Sequence, residues 1–383
     1  MVEMIKSQQV SFQYLHTTEA FLKNINLTIN QGECVLICGS SGSGKSTYSR
    51  LLNGISPNYI EGELLGEQYT GNLKAGESPI EEYVPVVGSV FQNPKTQHFT
   101  VDSMSELAFP LENTGADPDY IREKIKQIAK DFKIDHLLGR NIYKISGGEK
   151  QQIAFVAANV LEPSILILDE VTSNLDQEAI SRIREMVMQL KNRGLTIVIF
   201  EHRLAWTKDL VDRYILLEDG EVSKQWNADE FNELTNEELY QLGLRSMDLN
   251  AHRKLIEQKL LQTKKESHKL LTTEHLSIGY SNHTVLSNLN LSFTEGEITG
   301  LLGANGTGKS TLANTLTGLQ ESISGIINWK GQPISKKELI KKSYMVMQDM
   351  NYQLFSDSVE NEILLGAKYH EHLNELLETL ILL

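Results

Sequence analysis

The chain has 383 residues, enough for two or three domains, and it carries 36 Lys and Arg against 50 Asp and Glu, a formal net charge of −14. A content of 40% hydrophobic and 22% charged residues excludes an intrinsically disordered chain. The acidic balance argues against nucleic acid as the main partner, because phosphate binding needs basic surface. The two cysteines, Cys34 and Cys38, are too few for a disulfide framework or a four-ligand zinc site. Both fall in the apolar stretch Glu33 to Cys38, where four strand steps separate their Cα atoms by roughly 13 Å. That is about twice what a disulfide tolerates, so reduced core cysteines of a cytosolic protein are expected. Met1 to Ser7 holds no apolar stretch resembling a signal peptide. Runs such as Ile165 to Leu168 and Ile197 to Phe200 fall far short of the roughly 18–20 residues that span a bilayer.

In chain order, strands and turns come first, Ser7 to Tyr14 among them. The apolar strand ending at Cys38 then runs straight into a glycine-rich loop and a helix. Further apolar strands follow at Gly88 to Phe91, Ser164 to Leu168, Leu195 to Phe200 and Arg213 to Leu217, separated by patterned helices. This alternation points to a mostly parallel sheet covered by helices. Residues 229–268 are charged, with apolar positions at Phe231, Leu234, Leu239, Leu242, Leu255 and Leu260, and are expected to form a helical linker. Beyond it the beginning returns. FLKNINLTINQGECVLICGSSGSGKST at 21–47 reappears as VLSNLNLSFTEGEITGLLGANGTGKST at 285–311, with Lys309 placed 264 residues after Lys45. A second copy therefore occupies 269–383, opening on a strand from Leu271 to Tyr280.

Two motifs carry phosphate chemistry. Gly39-Ser40-Ser41-Gly42-Ser43-Gly44-Lys45-Ser46, followed by Thr47, fits G-x-x-x-x-G-K-[ST], as does Gly303-Ala304-Asn305-Gly306-Thr307-Gly308-Lys309-Ser310, followed by Thr311. The glycines let backbone N–H groups curl into an anion nest at a helix N-terminus. Lys45 and Lys309 would reach the β- and γ-phosphates, and the hydroxyls of Ser46 and Ser310 would ligate Mg²⁺. The strand Ile165 to Leu168 presents Asp169 and Glu170 at its C-terminal end, where open parallel sheets bind ligands. Asp169 is expected in the Mg²⁺ shell. Glu170 is expected to polarise the water that attacks the γ-phosphate.

Ser146-Gly147-Gly148-Glu149-Lys150-Gln151-Gln152, leading into a helix, resembles the signature loop of the ATP-binding cassette (ABC) family, and other stations of that family stand in order. The resemblance implies that Gln92 is the Q-loop glutamine, adding to the Mg²⁺ shell, with Gln348 as its counterpart. It makes Asp176 the D-loop residue, His202 the switch histidine, and Tyr14 and Tyr280 the aromatics stacked on adenine. It also implies a nucleotide-binding domain over 1–228 with an antiparallel β subdomain and a helical subdomain beside the parallel sheet. The segment Gln92-Asn93-Pro94-Lys95-Thr96-Gln97-His98-Phe99, with Glu201-His202-Arg203-Leu204, is similar to the energy-coupling-factor (ECF) transporter ATPases. In that group this segment grips the coupling helices of a membrane partner. Copy two keeps the spacing, Gln348 to Gln353 and Phe355, but lacks the Asn-Pro.

In copy one Ser146 lies 54 residues beyond Gln92, whereas Leu383 lies 35 beyond Gln348. Copy two thus contains no second signature, carboxylate strand, D-loop or switch histidine within these residues, and Leu380 to Leu383 reads as a helix cut midway. Family members sandwich each ATP between the P-loop of one cassette and the Ser-Gly-Gly loop of another. Complete sites are therefore expected from pairing with a second chain or another cassette subunit. Copy two, without its central strands, is expected to be marginally stable. The expected function is an ATPase binding ATP and Mg²⁺ at the cytoplasmic face of a membrane. It would energise integral membrane transporter subunits, with ECF-type import of a vitamin or metal ion as the lead. A soluble tandem-cassette translation factor and an inactive truncated product are the alternatives, and no nucleic-acid partner is expected.

Overall fold

The computed structural model describes residues 2–248, 268–280, 283–347 and 353–365. The chain divides into two compact units, Met1–Lys264 and Lys265–Leu383. In chain order the first unit runs β1 (Glu3–Tyr14), β2 (Leu22–Asn30), β3 (Cys34–Cys38), α1 (Lys45–Leu52), α2 (Ile55–Asn58), β4 (Gly62–Thr70), β5 (Leu73–Lys74), α3 (Ile80–Tyr83) and β6 (Val87–Val90). It continues with α4 (Ser103–Asn113), α5 (Pro118–Asp131), α6 (Gly147–Asn159), β7 (Ile165–Asp169), α7 (Gln177–Asn192), β8 (Thr196–Phe200), β9 (Arg213–Glu218), β10 (Glu221–Asn227), α8 (Ala228–Asn232) and α9 (Asn236–Gln241).

Two sheets result. The central one has the order β10–β9–β3–β8–β7–β6, parallel except for β10. The other is antiparallel, β2–β1–β4–β5. Both faces of the central sheet are covered, which is why its strands read as unbroken apolar runs. In β3 the side chains alternate between faces. Val35 and Ile37 join Ile165, Ile167, Val198 and Phe200 in a core shared with α1 and the antiparallel sheet. Cys34, Leu36 and Cys38 join Leu166, Leu168, Ile197 and Ile199 in a core closed by α4 to α7. Both thiols are free and buried, as expected. The helical layer has clear start signals: Asp102 caps α4, Asp117 caps α5 with Pro118 following, and Ser146 with Glu149 forms a capping box on α6.

The segment expected to be a helical linker from residue 229 forms α8 and α9 and packs on the first unit as far as Leu244. Phe231, Leu239 and Leu244 are buried in the first unit's core, with Leu234 and Leu242 packed against it. The ring of Phe231 stacks on Tyr214 with centroids 3.9 Å apart, and Trp226 meets it edge-on. A charged segment with periodic apolar positions thus covers a face of the first unit. Leu255 and Leu260 lie outside the described residues.

The second unit contains β11 (Lys269–Tyr280), β12 (His283–Leu289), β13 (Ser292–Thr294), β14 (Ser324–Trp329) and β15 (Gln332–Pro333), with helices over Lys309–Leu316, Lys336–Lys342 and Val359–Leu364. Its sheet has the order β12–β11–β14–β15, with β13 also on β11, and its small core centres on Leu276, Ile278 and Leu312. Residues 298–302, the counterpart of β3, form no strand, and Ile298 and Leu302 are 99% and 92% exposed. In the first unit β3 is held between β8 and β9, and no such strands occur among the described residues of the second. The expected C-terminal helix lies outside the described residues. Among those described, no helix is long and apolar enough to cross a membrane.

Candidate nucleotide site

Three neighbouring parallel strands, β6, β7 and β8, end on one edge of the central sheet, and a polar residue stands one or two positions beyond each end. Gln92 follows β6, Glu170 follows β7 and His202 follows β8. The structure brings the three side chains together. Gln92 Nε2 donates to Glu170 Oε2 at 3.0 Å, and His202 Nε2 lies 3.2 Å from Glu170 Oε1. The bond from His202 is the main reason the Glu170 carboxyl sits below its usual range. The charges of His202 and Lys45 add to it, and partial burial works against it. Asp169, one residue earlier, is pushed the other way, to about 6, by burial and by the Glu170 charge, with Arg50 and Lys45 partly offsetting this.

The glycine-rich loop closes the site on the β3 side. Gly39 has φ 149°, and a Cβ there would lie 2.1 Å from the Leu217 carbonyl oxygen. Gly44 has φ 98°, and a Cβ would lie 2.9 Å from Leu22 Cδ2. Glycine is required at both positions for the loop to curl against β9 and β2. Lys45, the first residue of α1, folds back over the loop and donates to the carbonyls of Gly39 at 3.0 Å and Ser40 at 2.7 Å, with Ser43 Oγ at 3.4 Å. Burial lowers its pKa, opposed by the nearby Glu170 carboxylate. A cleft of about 160 Å³ joins Gly42, Gly44, Lys45, Ser46 and Thr47 to Glu170 and His202. Larger cavities of about 310 and 770 Å³ lie beside Asp131 and Phe132 and contain none of the expected site residues. Ser46, Asp169 and Gln92 offer hydroxyl, carboxylate and amide oxygens, a hard donor set suited to a small divalent cation.

Other expected residues stand elsewhere. Tyr14 packs edge-on between Phe12 and Phe21, and its hydroxyl pairs with Thr47 Oγ1 at 2.9 Å and accepts from Arg50 at 3.3 Å. Phe21, which sequence reasoning passed over, lines the cleft instead; the repeat offers no signal for it, since its counterpart is Val285. Ser146, Gly147, Gly148 and Asp176 cap or open helices α6 and α7 and do not line the Lys45 cleft. In the second unit the loop from Gly303 to Gly308 repeats the first, with Lys309 Nζ on the carbonyls of Gly303 at 2.8 Å and Ala304 at 2.7 Å and Thr307 Oγ1 on Ala304. Here the loop is open: Asn305, Gly306 and Ser310 are exposed, Thr311 is buried below them, and Tyr280 is 61% exposed. Gln348 lies outside the described residues.

Several supporting residues were not assigned roles from the sequence. Gln97 holds the Gln92 loop shut, donating to the Ser89 carbonyl at 2.9 Å and accepting from the Phe91 N–H at 3.1 Å. Glu106, nearly fully buried, accepts from the N–H groups of Phe99 and Thr100 and from the Thr100 hydroxyl. Gln353 and Glu362 do the same in the second unit, on Met345 and Met347 and on Phe355 and Ser356. Repetition at a 256-residue offset was the signal that could have found them.

Comparison with known proteins follows the same residues. The profile of the ABC transporter family matches 22–173 and 286–382. The chain is 38% identical over 379 residues to a protein of Treponema denticola described as an ABC transporter ATP-binding protein, covering 95% of this chain and 75% of that one. It is 29% identical over 390 residues to YkoD of Bacillus subtilis, described as an HMP/thiamine import ATP-binding protein, covering 96% of this chain and 71% of that one. Among solved structures it is similar to cbiO1 of Clostridium perfringens, part of the ABC transporter complex cbiONQ. That likeness has a TM-score of 0.56 at 28% identity and covers 67% of this chain and 100% of that one. The cassette MJ0796, solved as a dimer bound to ADP and Pi, gives a TM-score of 0.52 at 26% identity, covering 59% of this chain and 99% of that one.

Proposed function

The chain belongs to the ABC transporter family of ATP-binding proteins, and from that premise we propose that it is the ATPase subunit of an ECF-type importer of a small nutrient such as a vitamin or metal ion. The observation that carries the catalytic part is the clamping of Glu170 between Gln92 and His202 beside Lys45. Glu170, held below its usual range, is an ionised acceptor and hence a base for the attacking water. Each Glu170 oxygen takes one of these contacts, and a carboxylate has about four acceptor positions, so room is left to polarise a water while Gln92 and His202 orient the group. Lys45 is likewise satisfied by loop carbonyls, and incoming phosphate oxygens would draw it toward the nucleotide as a stronger, charge-assisted partner. Ser46, Asp169 and Gln92 would hold Mg²⁺, which when bound neutralises charge on the β- and γ-phosphates.

The ECF reading draws on the likeness to YkoD and cbiO1 and on the Gln92 to Phe99 segment. Phe99 is 72% exposed at the tip of that clamped loop, which suits a knob docking on a membrane subunit at the cytoplasmic face. Ser146 does not line the cleft of its own unit. A complete site would therefore take a Ser-Gly-Gly loop from another cassette, in a second copy or a separate subunit. The test is a tagged pull-down from solubilised membranes of the source cell, read by mass spectrometry. Integral membrane proteins should be recovered in proportion to the bait, and Phe99→Ala should reduce them. Recovery of ribosomal proteins in their place would sink the transporter reading.

A further inference from the structure

His202 sits between two residues that both reach back to the strand-end segment carrying Glu170. Glu201 is 1% exposed. One of its oxygens accepts the N–H groups of His202 at 2.8 Å and Arg203 at 3.1 Å. The other accepts the hydroxyl of Thr172, which is fully buried two residues after Glu170. Arg203 grips the same residue from the other side, Nη1 donating to the Thr172 carbonyl at 3.0 Å and reaching the Leu175 carbonyl at 3.5 Å. Thr172 is thus held by its hydroxyl and its carbonyl by the two neighbours of His202. Neither Glu201 nor Thr172 lines the cleft, so neither touches the reacting atoms.

We infer that Glu201 is a positioning residue. Its knot with Thr172 fixes the loop after β8 to the loop after β7 and so sets the His202–Glu170 contact. A buried carboxylate bonded to two successive amides leaves the intervening backbone little freedom, because letting go would strand polar groups out of reach of water. Arg203 also brings the Leu175 carbonyl, next to Asp176, to the edge of the same knot. The inference rests on His202 acting on Glu170 as proposed above.

The experiment measures ATP turnover of the full chain with the membrane partners that co-purify with it, for wild type, H202A, E201A, E201Q, T172V and T172S, and for E201A/H202A. E201A and T172V should each lower kcat about tenfold with KM for ATP within about twofold. T172S keeps the bonds, and E201Q keeps both amide bonds on its carbonyl oxygen while its NH2 donates to the Thr172 hydroxyl, so both should stay within about twofold of wild type. In the H202A background E201A should cost nothing further, because residues acting through one another are not additive. T172V is nearly isosteric and carries the test if E201A does not fold. Additive losses, unchanged E201A and T172V, or E201Q as damaging as E201A would overturn the inference while leaving His202 in place. An H202A enzyme as fast as wild type would instead overturn the reading of His202, and the positioning role with it.

Discussion

Glu106 and Glu362, 256 residues apart in sequence, make the same pair of bonds to two successive backbone N–H groups, those of Phe99 and Thr100 in the first unit and Phe355 and Ser356 in the second. In each case the aromatic residue so fixed is left exposed, Phe99 by 72% and Phe355 by 76%. Only the first copy adds His98, 3.5 Å from Glu106 and buried with it; its counterpart in the second is Leu354. Burial alone would raise the Glu106 pKa, but the neighbouring His98 and the bonds from Thr100 outweigh it and hold the carboxyl below its usual value.

Removal of this clamp should be felt in stability. Glu106→Ala strands two amides in the first unit, each unpaired donor costing about 1–3 kcal/mol if it stays buried. The melting temperature of the first unit should fall by several degrees, with Glu106→Gln nearer wild type. Because the folded pKa is depressed, the contribution is present above the unfolded value and lost as pH falls through the folded one. Glu362→Ala, on a half-exposed residue, should cost less. Thermal melts of the full chain at neutral and acid pH decide the matter.

Glu170→Gln should retain ATP binding and lose turnover by about 10²–10⁴-fold. Glutamine has nearly the same shape, its carbonyl oxygen accepting from one of Gln92 and His202 and its NH2 donating to the other once that partner's amide or tautomer turns, so the site is kept while the base is removed. Nucleotide titration alongside single-turnover hydrolysis separates the two effects; equal loss of both would mean that Glu170 holds the nucleotide instead.

Burial pushes the Cys34 and Cys38 thiols up to about 12, so at pH 8 neither should react with a thiol reagent until the chain unfolds. Tyr83 and Tyr214 are also raised to about 12, chiefly by burial. All four groups have folded pKa values above their unfolded ones. The stability they contribute is therefore intact below pH 9 and lost as pH rises toward 12. Alkaline unfolding should set in across that window, and a thiol labelled at pH 8 in the native chain would contradict the packing of β3.

Amide exchange should separate the two copies of β3. Residues 34–38 are paired on both sides and should exchange only with global opening of the first unit. Residues 298–302, unpaired and exposed, should exchange faster by at least about a thousandfold. Equal protection in the full chain would show that another segment or chain covers them.

The parts legible in the sequence are those encoded by neighbouring residues. Glycine spacing dictates the phosphate loop at Gly39 and Gly44, because those backbone angles exclude a side chain. Alternating and continuous apolar runs mark β3, β7 and β8, and the repeat marks a second loop at Lys309. Asp169-Glu170 is readable as a strand end because strand length and the switch to charge are both local. Tertiary structure alone decided the rest. Gln92, Glu170 and His202 are far apart in sequence and meet because β6, β7 and β8 are adjacent and parallel, so that their ends share one edge. Tyr14 was drawn onto α1 by Thr47 and Arg50, leaving Phe21 at the cleft. Phe231 found Tyr214 and was buried in the first unit's core. An apolar pattern at 298–302 was not sufficient to make a strand, because a strand's backbone groups are satisfied only by neighbours that other segments supply.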